Sequence, residues 1–449
     1  NVIYAQGCEL SEGIPSFETM PSHTLFHGNE KGLKAEYFDN HELKGTPLYS
    51  EVDTVLNANW YDKAPRKDMD DDNFGVRWTG EITPDETGMY QLGIITTCKV
   101  NLYLNDSIIA NTSYHFRDEF GDPRLRKSVP IKLEVGRKYN IKVEAGETYA
   151  DAQVQLVWAK PKADIKVQLR DQAIEAAKKS DVVVMCMGLT ARLEGEEMDV
   201  AVDGFNGGDR TKIDLPKDQE DLVKEIQALG KPVVLVLLNG SALSINWENQ
   251  NIPAIIEAWY PGQAAGTAIA DVLFGDYNPA GRLPVTFYRS INDLPSFENY
   301  DMKGRTYRYF HGEPLYPFGY GLSYSTFEYS NFKTNPSYAA GDSVKISVDV
   351  KNTGSMAGDE VVQVYVTSKD AGNIPVPIRS LKAFKRIHLN EGETKTVNLS
   401  LSPDAFSYIN DQNKKDILKG KYEISAGGGQ PDIRIKSSSN VLKTEITIN

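Results

Sequence analysis

The sequence predicts a multidomain protein that combines an α/β region with all-β regions. Its 449 residues exceed the roughly 100 to 200 residues of a typical single domain. Apolar residues alternate with polar ones from about residue 32 to 158, and again from about residue 327 onward. Between these segments, from about residue 165 to 287, helical periodicity alternates with short continuous apolar runs. The two changes of period predict β-rich segments on either side of an α/β segment.

The first β-rich segment predicts an antiparallel β-sandwich. Its alternating runs include "YQLGIITTCKVNLYLNDSIIA" and "KYNIKVEAGETYADAQVQLVWA", and the turn sequences "PDETG" and "LEVGRK" separate its strands. Strict alternation indicates strands with one face toward a core and one toward solvent.

The middle segment predicts a parallel sheet covered on both faces. The helical patterns are "RDQAIEAAKKS", "PKDQEDLVKEIQALG" and "GQAAGTAIADVLFG", and the apolar runs are "DVVVMCMGL", "KPVVLVLLNG" and "PAIIEAWY". Helices that alternate with continuous apolar strands are typical of such sheets. We therefore expect Cys186, which lies inside the first apolar run, to pack in the core.

The last segment predicts a second sandwich. "SVKISVDVKNTG", "DEVVQVYVTS", "KTVNLSLS" and "GKYEISAGG" alternate in the manner of strands and are separated by turn residues. The stretch before it, "GRTYRYFHGEPLYPFGYGLSYSTF", is rich in Tyr, Gly and Pro. It is either a connector packed by its aromatic side chains or a functional segment.

Composition excludes several classes of function. The formal charge of -13 opposes binding to nucleic acid, because Lys and Arg that neutralise phosphates supply most of that affinity. No apolar stretch approaches the ~20 residues that cross a bilayer, so no membrane span is predicted. The three cysteines and six histidines show no metal-ligand spacing. No metal, no cofactor and no nucleic-acid partner are expected, and a neutral ligand fits best.

Residues 190 to 210, "TARLEGEEMDVAVDGFNGGDR", crowd acidic side chains just after the first apolar strand. Neighbouring carboxylates, or partial removal from water, raise the pKa of a carboxyl group and allow it to donate a proton near neutral pH. The other interpretation is an ordinary solvated acidic loop.

The loops "NGSALSINW" and "YPGQAAG" follow the next two strands of the predicted sheet. Ligands of open parallel sheets bind at the carboxyl ends of the strands. Carboxylates, amides, a Trp and glycines on this edge suit a polyhydroxylated ligand. A nucleotide is disfavoured, because "PGQAAG" lacks the Lys of a P-loop and no GxGxxG follows a strand.

Three further stretches carry a family resemblance. "KPVVLVLLNGSALSINW", "AIIEAWYPGQAAGTAIADVLFGDYNPAGRLPVTF" and "PLYPFGYGLSYSTFEYSN" resemble the C-terminal α/β-sandwich domain of glycoside hydrolase family 3. "GLKAEYFDN" and "FGVRWTGEITPDETGMYQLGI" resemble the anthrax protective-antigen-type β-sandwich that interrupts this domain in some members. The tail resembles a fibronectin type III-like domain.

The resemblance implies a division of the chain into domains. Residues 1–29 and 163–300 would form the α/β-sandwich domain, interrupted by the inserted sandwich at 30–162. Residues 301–326 would be the connector, and 327–449 the fibronectin type III-like domain. Family members also carry an N-terminal (β/α)₈ barrel with the nucleophilic Asp, and no barrel pattern occurs here. We therefore expect the C-terminal part of a larger enzyme, with an α/β domain incomplete at its N-terminus and with the missing N-terminal barrel domain of the same protein as its partner.

The resemblance also implies an activity, that of a retaining exo-β-glycosidase. Such a β-glucosidase or β-xylosidase would release single sugars from the non-reducing end of β-linked gluco- or xylo-oligosaccharides. Without its barrel the chain alone is expected to be inactive. We expect a periplasmic or secreted bacterial protein, and a non-catalytic carbohydrate-binding or scaffolding protein is the alternative.

In the family, the acid/base Glu lies on the loop that follows the strand matched by "DVVVMCMGL". Aligning "LEGEEM" and "GGDR" with the family patterns assigns this role to Glu196, with Glu194 and Glu197 as alternatives. Asp209 and Arg210 are expected to shape the loop through a local ion pair. Trp259 and Tyr260 are candidate substrate contacts, and packing beneath the site is their other interpretation.

Overall fold

A computed structural model describes residues 1–11, 17–61, 63–112, 125–148, 152–160, 162–191, 193–195 and 202–449. The chain divides into two compact units. The first contains Asn1–Gly240 and Asn251–Glu257, and the second contains Ser241–Gln250 and Ala258–Asn449. Each unit is described by itself.

Two antiparallel sheets dominate the first unit. One has the strand order β1-β13-β8-β11 with β6 paired to β13. The other has the order β10-β9-β12-β7-β2-β3, with β4 paired to β7 and β5 paired to β4. The strands are β1 (Glu18–Thr19), β2 (Leu25–His27), β3 (Glu30–Lys31), β4 (Leu33–Phe38), β5 (Tyr49–Asp53), β6 (Asn57–Tyr61), β7 (Phe74–Ile82), β8 (Gly88–Thr96), β9 (Lys99–Leu104), β10 (Ser107–Asn111), β11 (Leu125–Leu133), β12 (Tyr139–Glu147) and β13 (Ala152–Ala159). Their apolar residues, including the fully buried Trp78 and Trp158, form one core. The antiparallel strands predicted from alternation are therefore present.

The sheets begin earlier in the chain than the boundary predicted at residue 30. Glu18 pairs with Trp158, and Leu25 pairs with Ile82. The indole Nε1 of Trp158 also donates to Glu18 Oε1 at 2.9 Å. Residues 18–27 thus hydrogen-bond with the antiparallel sheets, although they were assigned to the α/β domain. Strands of two or three residues are too short to produce a detectable alternation, so the sequence pattern does not reveal them.

A three-stranded parallel sheet completes the first unit. The order is β14-β17-β18, with Val183 paired to Val233 and Val234 paired to Ala254. Its strands and the neighbouring hairpin are β14 (Val183–Gly188), β15 (Phe205–Asn206), β16 (Asp209–Arg210), β17 (Val233–Leu238) and β18 (Ala254–Glu257). Among the described residues, the α-helices are α1 (Lys162–Lys178), α2 (Lys217–Ala228), α3 (Asn246–Asn251), α4 (Ala265–Phe274) and α5 (Thr306–Tyr309). The parallel sheet and the three predicted helices are confirmed.

The prediction that Cys186 packs in the core is wrong. Cys186 is exposed, and Val184 on the same side of β14 is 45% exposed. Met185 and Met187, which point to the opposite side, are buried. Strand β14 lies at an edge of the three-stranded sheet. Its apolar run therefore has one packed face within the described residues, where the sequence predicted two.

The second unit contains two further sheets and a hairpin. The sheets have the orders β19-β21-β24 and β20-β28-β27-β22-β23, and β25 pairs with β26. The strands are β19 (Phe327–Lys333), β20 (Ser337–Tyr338), β21 (Val344–Asn352), β22 (Gly358–Ser368), β23 (Ser380–Leu389), β24 (Thr394–Leu401), β25 (Ser407–Ile409), β26 (Lys415–Ile417), β27 (Gly420–Gly427) and β28 (Val441–Ile448). Short 3₁₀ helices span Ser22–Thr24 in the first unit, and Ile291–Asp293 and Pro403–Phe406 in the second.

Aromatic side chains order the predicted connector in the second unit. Tyr307 stacks on Phe318 with ring centroids 4.2 Å apart, and Tyr316 stacks on Tyr320 at 5.5 Å. These contacts agree with the interpretation of the stretch as an aromatic-packed connector. No helix in the described part of the chain has the length and apolarity needed to cross a bilayer.

Candidate active site

The acidic loop begins at the carboxyl end of β14, where Gly188 makes a close approach to β17. Gly188 has φ +136°, and a Cβ on it would lie 2.1 Å from the Leu238 carbonyl oxygen. Only glycine fits this position. The N–H of Leu189 donates to the same carbonyl oxygen at 2.6 Å. The loop therefore leaves the sheet at the edge where parallel sheets bind their ligands.

Gln219 of helix α2 holds the start of the loop. Its Oε1 accepts a hydrogen bond from the Gly188 N–H at 2.6 Å, and its Nε2 donates to the Gly188 carbonyl at 2.8 Å. The same Nε2 donates to the Leu10 carbonyl at 2.7 Å. Gln219 is 3% exposed, so this buried amide ties the strand end to both the helix and the N-terminal segment.

The sequence analysis missed Gln219, although its position carries a signal. It occupies the first place of an i, i+3, i+4, i+7 series whose other members, Leu222, Val223 and Ile226, are buried and apolar. A polar side chain on the buried stripe of a helix must find hydrogen-bond partners. Such a residue is a candidate for a structural clamp.

The other side of the acidic loop is a tight hairpin. Strand β15 pairs with β16, with Phe205 opposite Arg210 and Asn206 opposite Asp209. The two turn residues, Gly207 and Gly208, have φ +61° and +88°. Positive φ at both central positions is the requirement of a type I′ hairpin, which glycine meets without strain. The turn sequence "NGGD" thus determines the position of Arg210 in the hairpin.

Arg210 and Gly240 converge on the Glu194 carboxylate. The Gly240 N–H donates to Glu194 Oε2 at 3.3 Å, and Arg210 Nη1 lies 4.0 Å from Glu194 Oε1. The Glu194 and Arg210 side chains are only 16% and 10% exposed. Arg210 also donates from Nε to the Lys212 carbonyl at 2.8 Å and from Nη2 to the Asp214 carbonyl at 3.0 Å. Arg210 therefore forms an ion pair with Glu194 among the described residues, whereas the sequence predicted one with Asp209.

Glu196 and Glu197 lie outside the described residues, so the choice among the three glutamates stays a prediction. Gly195, the residue before Glu196, donates its N–H to the Gly208 carbonyl at 3.4 Å. The hairpin thus holds the loop up to the position that precedes Glu196. Asn239, at the end of the neighbouring strand β17, is fully buried.

Trp259 and Tyr260 belong to the second unit. Trp259 is half-buried and packs edge-on against Phe287, with ring centroids 5.9 Å apart. Its φ of +55° is uncommon for a residue with a bulky side chain and marks a locally constrained backbone. Tyr260 is 39% exposed.

Within the described ranges, no three His, Cys, Asp or Glu residues are grouped as metal ligands.

Comparison with known protein families identifies the region that carries this site. The glycosyl hydrolase family 3 C-terminal domain matches residues 42–324, which is more than half of the chain and includes the acidic loop. The chain belongs to glycoside hydrolase family 3. A fibronectin type III-like domain matches residues 360–430 of the second unit. The recognition of family 3 with a fibronectin type III-like domain is therefore confirmed.

Named β-xylosidases and β-glucosidases match large parts of the chain or nearly all of it. It is 36% identical over 450 residues to a xylan 1,4-β-xylosidase of Xylanibacter ruminicola, a match that covers 98% of this chain and 50% of that protein. A periplasmic β-glucosidase of Salmonella typhimurium is 40% identical over 57% of this chain and 34% of its own length. The crystal structure of a Kluyveromyces marxianus β-glucosidase in complex with glucose superimposes with a TM-score of 0.69 at 30% identity, covering 100% of this chain and 54% of that one. The chain thus spans about half the length of the xylosidase.

Proposed function

We propose that this chain is the C-terminal portion of a retaining exo-β-glycosidase. It would release single glucose or xylose units from the non-reducing end of β-linked oligosaccharides. Two matched relatives are named a xylan 1,4-β-xylosidase and a periplasmic β-glucosidase, and the matched K. marxianus enzyme was crystallised with glucose. The acidic loop at the carboxyl edge of the parallel sheet supports the same proposal, because it offers carboxylates where such sheets bind ligands.

The proposed mechanism divides the two essential carboxyl groups between domains. A barrel-borne Asp would attack the anomeric carbon while Glu196 protonates the glycosidic oxygen, so that the C–O bond to the leaving group breaks as a glycosyl ester forms. Glu196 would then accept a proton from the water that attacks the anomeric carbon and displaces the Asp carboxylate. Retention of configuration requires the two carboxyl groups to lie roughly 5 Å apart.

The engagement of Glu194 is the observation that favours Glu196 over Glu194, and the family alignment favours Glu196 over Glu197. A general acid must present its proton to the substrate oxygen within hydrogen-bond reach. Both Glu194 carboxylate oxygens face internal partners, the Gly240 N–H and Arg210 Nη1. Glu194 is accordingly assigned to holding the loop, and Glu196 to proton transfer. Exposed Tyr260 is the more accessible of the two proposed sugar contacts, because Trp259 packs on Phe287.

Leaving-group dependence tests this assignment in the enzyme that carries the barrel. Glu196→Gln keeps the side-chain shape but removes the transferable proton. Its kcat/KM for substrates with poor leaving groups should fall by about 10² to 10⁴-fold, and far less for activated aryl glycosides. Glu194→Gln and Glu197→Gln are the matched controls and should lose rate equally for both substrate classes. Leaving-group dependence in Glu194→Gln or Glu197→Gln would move the role to that residue.

The missing N-terminal barrel domain of the same protein is part of the same proposal. Large apolar side chains in the second unit, Phe274, Phe297 and Tyr300, are 84%, 86% and 97% exposed. Exposed apolar groups of this size are typical of surfaces that another domain covers. The isolated chain should therefore show no turnover of p-nitrophenyl β-glycosides, since one carboxyl group cannot both attack and protonate. Turnover by the purified chain would contradict the proposal that the two catalytic carboxyl groups lie on different domains. Binding of the sugar without turnover, even with the barrel present, would favour a carbohydrate-binding role.

The antiparallel sandwich is proposed as an insertion of the protective-antigen type that borders the entrance to the active site. Its deletion should change the preference for substrate length, measured as the ratio of kcat/KM on di- and tetrasaccharides. An unchanged ratio would leave it with no role at the entrance.

A periplasmic or secreted bacterial location is proposed from the Salmonella relative, which is named periplasmic.

A further inference from the structure

The second unit contains a cleft of about 680 Å³. The cleft is bordered by the connector, the residues before β23 and the loop between β27 and β28, together with Asn249, Thr286 and Arg289. The lining residues used below are Thr286, Arg289, Tyr307, Phe310, Arg379, Gln430, Arg434 and Lys436. Its volume lies within the range of roughly 300 to 1,000 Å³ that is typical of small-molecule sites.

Cationic side chains outnumber acidic ones in the lining of the cleft. Arg289, Arg379, Arg434 and Lys436 line it. Among the described residues of the second unit, these four form none of the ion pairs within 4.0 Å. One of the two acidic lining residues, Asp432, is neutralised by an ion pair with Lys443 at 2.5 Å. The cleft therefore carries a net positive charge in a chain of formal charge -13, which favours an anionic ligand.

Arg379 is held in place as a preformed donor. Its Nη1 donates to the Pro431 carbonyl at 2.8 Å and to Gln430 Oε1 at 3.3 Å. Gln430 is 8% exposed and donates in turn to the Phe318 carbonyl at 2.7 Å. These contacts fix the plane of the guanidinium group. A fixed, planar fork of donors is the group that best binds a carboxylate or phosphate oxygen pair.

The cleft also presents ordered aromatic rings and a buried hydroxyl group. Tyr307 is fixed by stacking on Phe318 at 4.2 Å, and Phe310 packs edge-on against Tyr288 at 5.0 Å. Thr286 is 7% exposed, and its Oγ1 has no hydrogen-bond partner among the described residues. Rigid rings, a hydroxyl group and amides around a cationic centre suit a hydroxylated ring that bears an oxyanion.

We propose that this cleft binds a carbohydrate that carries an oxyanion, either a uronic acid or a sugar phosphate. The shared chemistry is a charged oxygen group bound by Arg379, Arg434 and Lys436, with the sugar ring against Tyr307 and Phe310. The site lies within the second unit and does not depend on the glycosidase proposal.

Calorimetric titration of the full chain tests the proposal with four probes: D-glucuronate, D-glucose, D-glucose 6-phosphate and inorganic phosphate. Glucuronate and glucose 6-phosphate should each bind at least about tenfold more tightly than glucose, since glucose lacks the charge that the arginines bind. Added salt should weaken the binding of both charged sugars. The tighter of the two identifies whether the oxyanion is a carboxylate or a phosphate. Equal binding of glucose and both charged sugars would overturn the proposal, as would inorganic phosphate that binds as tightly as glucose 6-phosphate.

Charge variants provide the second arm of the experiment. Arg434 and Lys436 are exposed, so the double variant Arg434→Gln/Lys436→Gln should fold normally. It should weaken binding of the charged sugars by about tenfold or more. Lys333→Gln removes an exposed charge on β19 that does not line the cleft, and should leave binding unchanged. An unchanged affinity in the double variant would overturn the site, whatever the result with the wild type.

Discussion

Glu360, a fully buried carboxylate of the second unit, is the centre of a hydrogen-bonded network. Arg282 Nη2 donates to Glu360 Oε2 at 2.7 Å, and the Tyr329 hydroxyl donates to Glu360 Oε1 at 2.8 Å. The Arg282 and Glu360 side chains are 7% and 0% exposed. Arg282 Nε also donates to the Gly428 carbonyl at 3.2 Å. Burial of both charges is tolerated because each has close hydrogen-bond partners.

Removing one partner should destabilise the second unit strongly. Arg282→Met leaves Glu360 buried without its cation, and we expect the free energy of unfolding to fall by about 3 to 5 kcal/mol. Lys415→Met breaks the exposed Lys415–Asp404 pair, whose side chains are 51% and 70% exposed, and should cost less than about 1 kcal/mol. Urea denaturation of both variants measures the difference. Equal losses would show that the buried pair contributes no more than a surface pair.

Asp359 predicts a pH dependence of stability. Burial acts to raise the pKa of Asp359, but hydrogen bonds from His388 and Arg386 outweigh it and hold the pKa below its ordinary value of 3.8. A carboxyl group with a lowered pKa in the folded state stabilises the fold above the unfolded pKa. This contribution disappears as the pH falls through the lower, folded-state pKa.

Asp359→Asn should therefore be less stable than the wild type at neutral pH, by about 1 kcal/mol because its partners are partly exposed. The difference in stability between the wild type and Asp359→Asn should disappear below pH 3.8, because the wild-type carboxyl group becomes protonated. Thermal unfolding of both proteins across the acidic range measures it. If the stability difference stays constant into strong acid, ionisation of Asp359 does not cause it.

Helix α2 shows how one element positions the acidic loop. Gln219→Leu would leave the Gly188 N–H and carbonyl and the Leu10 carbonyl without their present partner. We expect a loss of about 2 to 3 kcal/mol in the free energy of unfolding. Gln227→Leu is the matched control, because Gln227 lies on the same helix and is only half-buried. If both variants lose the same free energy of unfolding, the hydrogen bonds of the Gln219 side chain do not stabilise the fold.

Periodicity explains which elements could be predicted from sequence. Strands β14 and β17 carry continuous apolar runs and helices α2 and α4 carry helical apolar patterns, and the structure places all four elements where these patterns lie. Strands β1 and β2 are too short to carry a repeat. The exposure of Cys186 depends on what covers β14, which is a tertiary property that a local apolar run does not encode.

The candidate site was predictable in location but not in detail. A loop after a parallel strand must lie at the carboxyl edge of the sheet, so the position of the acidic stretch follows from topology. The pairing of Glu194 with Arg210 and Gly240 does not, because it joins residues up to 46 positions apart. Such contacts depend on the turn geometry of the Gly207–Gly208 hairpin and on the packing of β17.

At the scale of the whole molecule, the antiparallel sandwich has a core of its own. Every buried member of that core lies between Met20 and Trp158. Met20 and Leu25 are fully buried, and both precede the boundary predicted at residue 30. We therefore propose about 17 and 160 as the boundaries of a domain that folds on its own.

A fragment of residues 17–160 should fold cooperatively and should be more stable than one of residues 30–162. The shorter fragment lacks Met20 and Leu25, and loss of two such buried side chains should lower the free energy of unfolding by at least about 4 kcal/mol. Fluorescence of the buried Trp78 and Trp158 reports both transitions in urea. Equal stability of the two fragments would return the boundary to residue 30.

The division of catalysis between this chain and a barrel depends on Glu196 as the proton donor, and azide rescue tests that role most directly. In the full-length Glu196→Gln enzyme, an activated aryl glycoside should still form the glycosyl intermediate, whose hydrolysis is slow without a general base. Azide needs no base, so it should restore turnover and yield a glycosyl azide of β configuration, which NMR identifies from the anomeric proton. Glu194→Gln and Glu197→Gln should show no rescue. Rescue in either of these variants, or in none of the three, would contradict Glu196 as the acid/base.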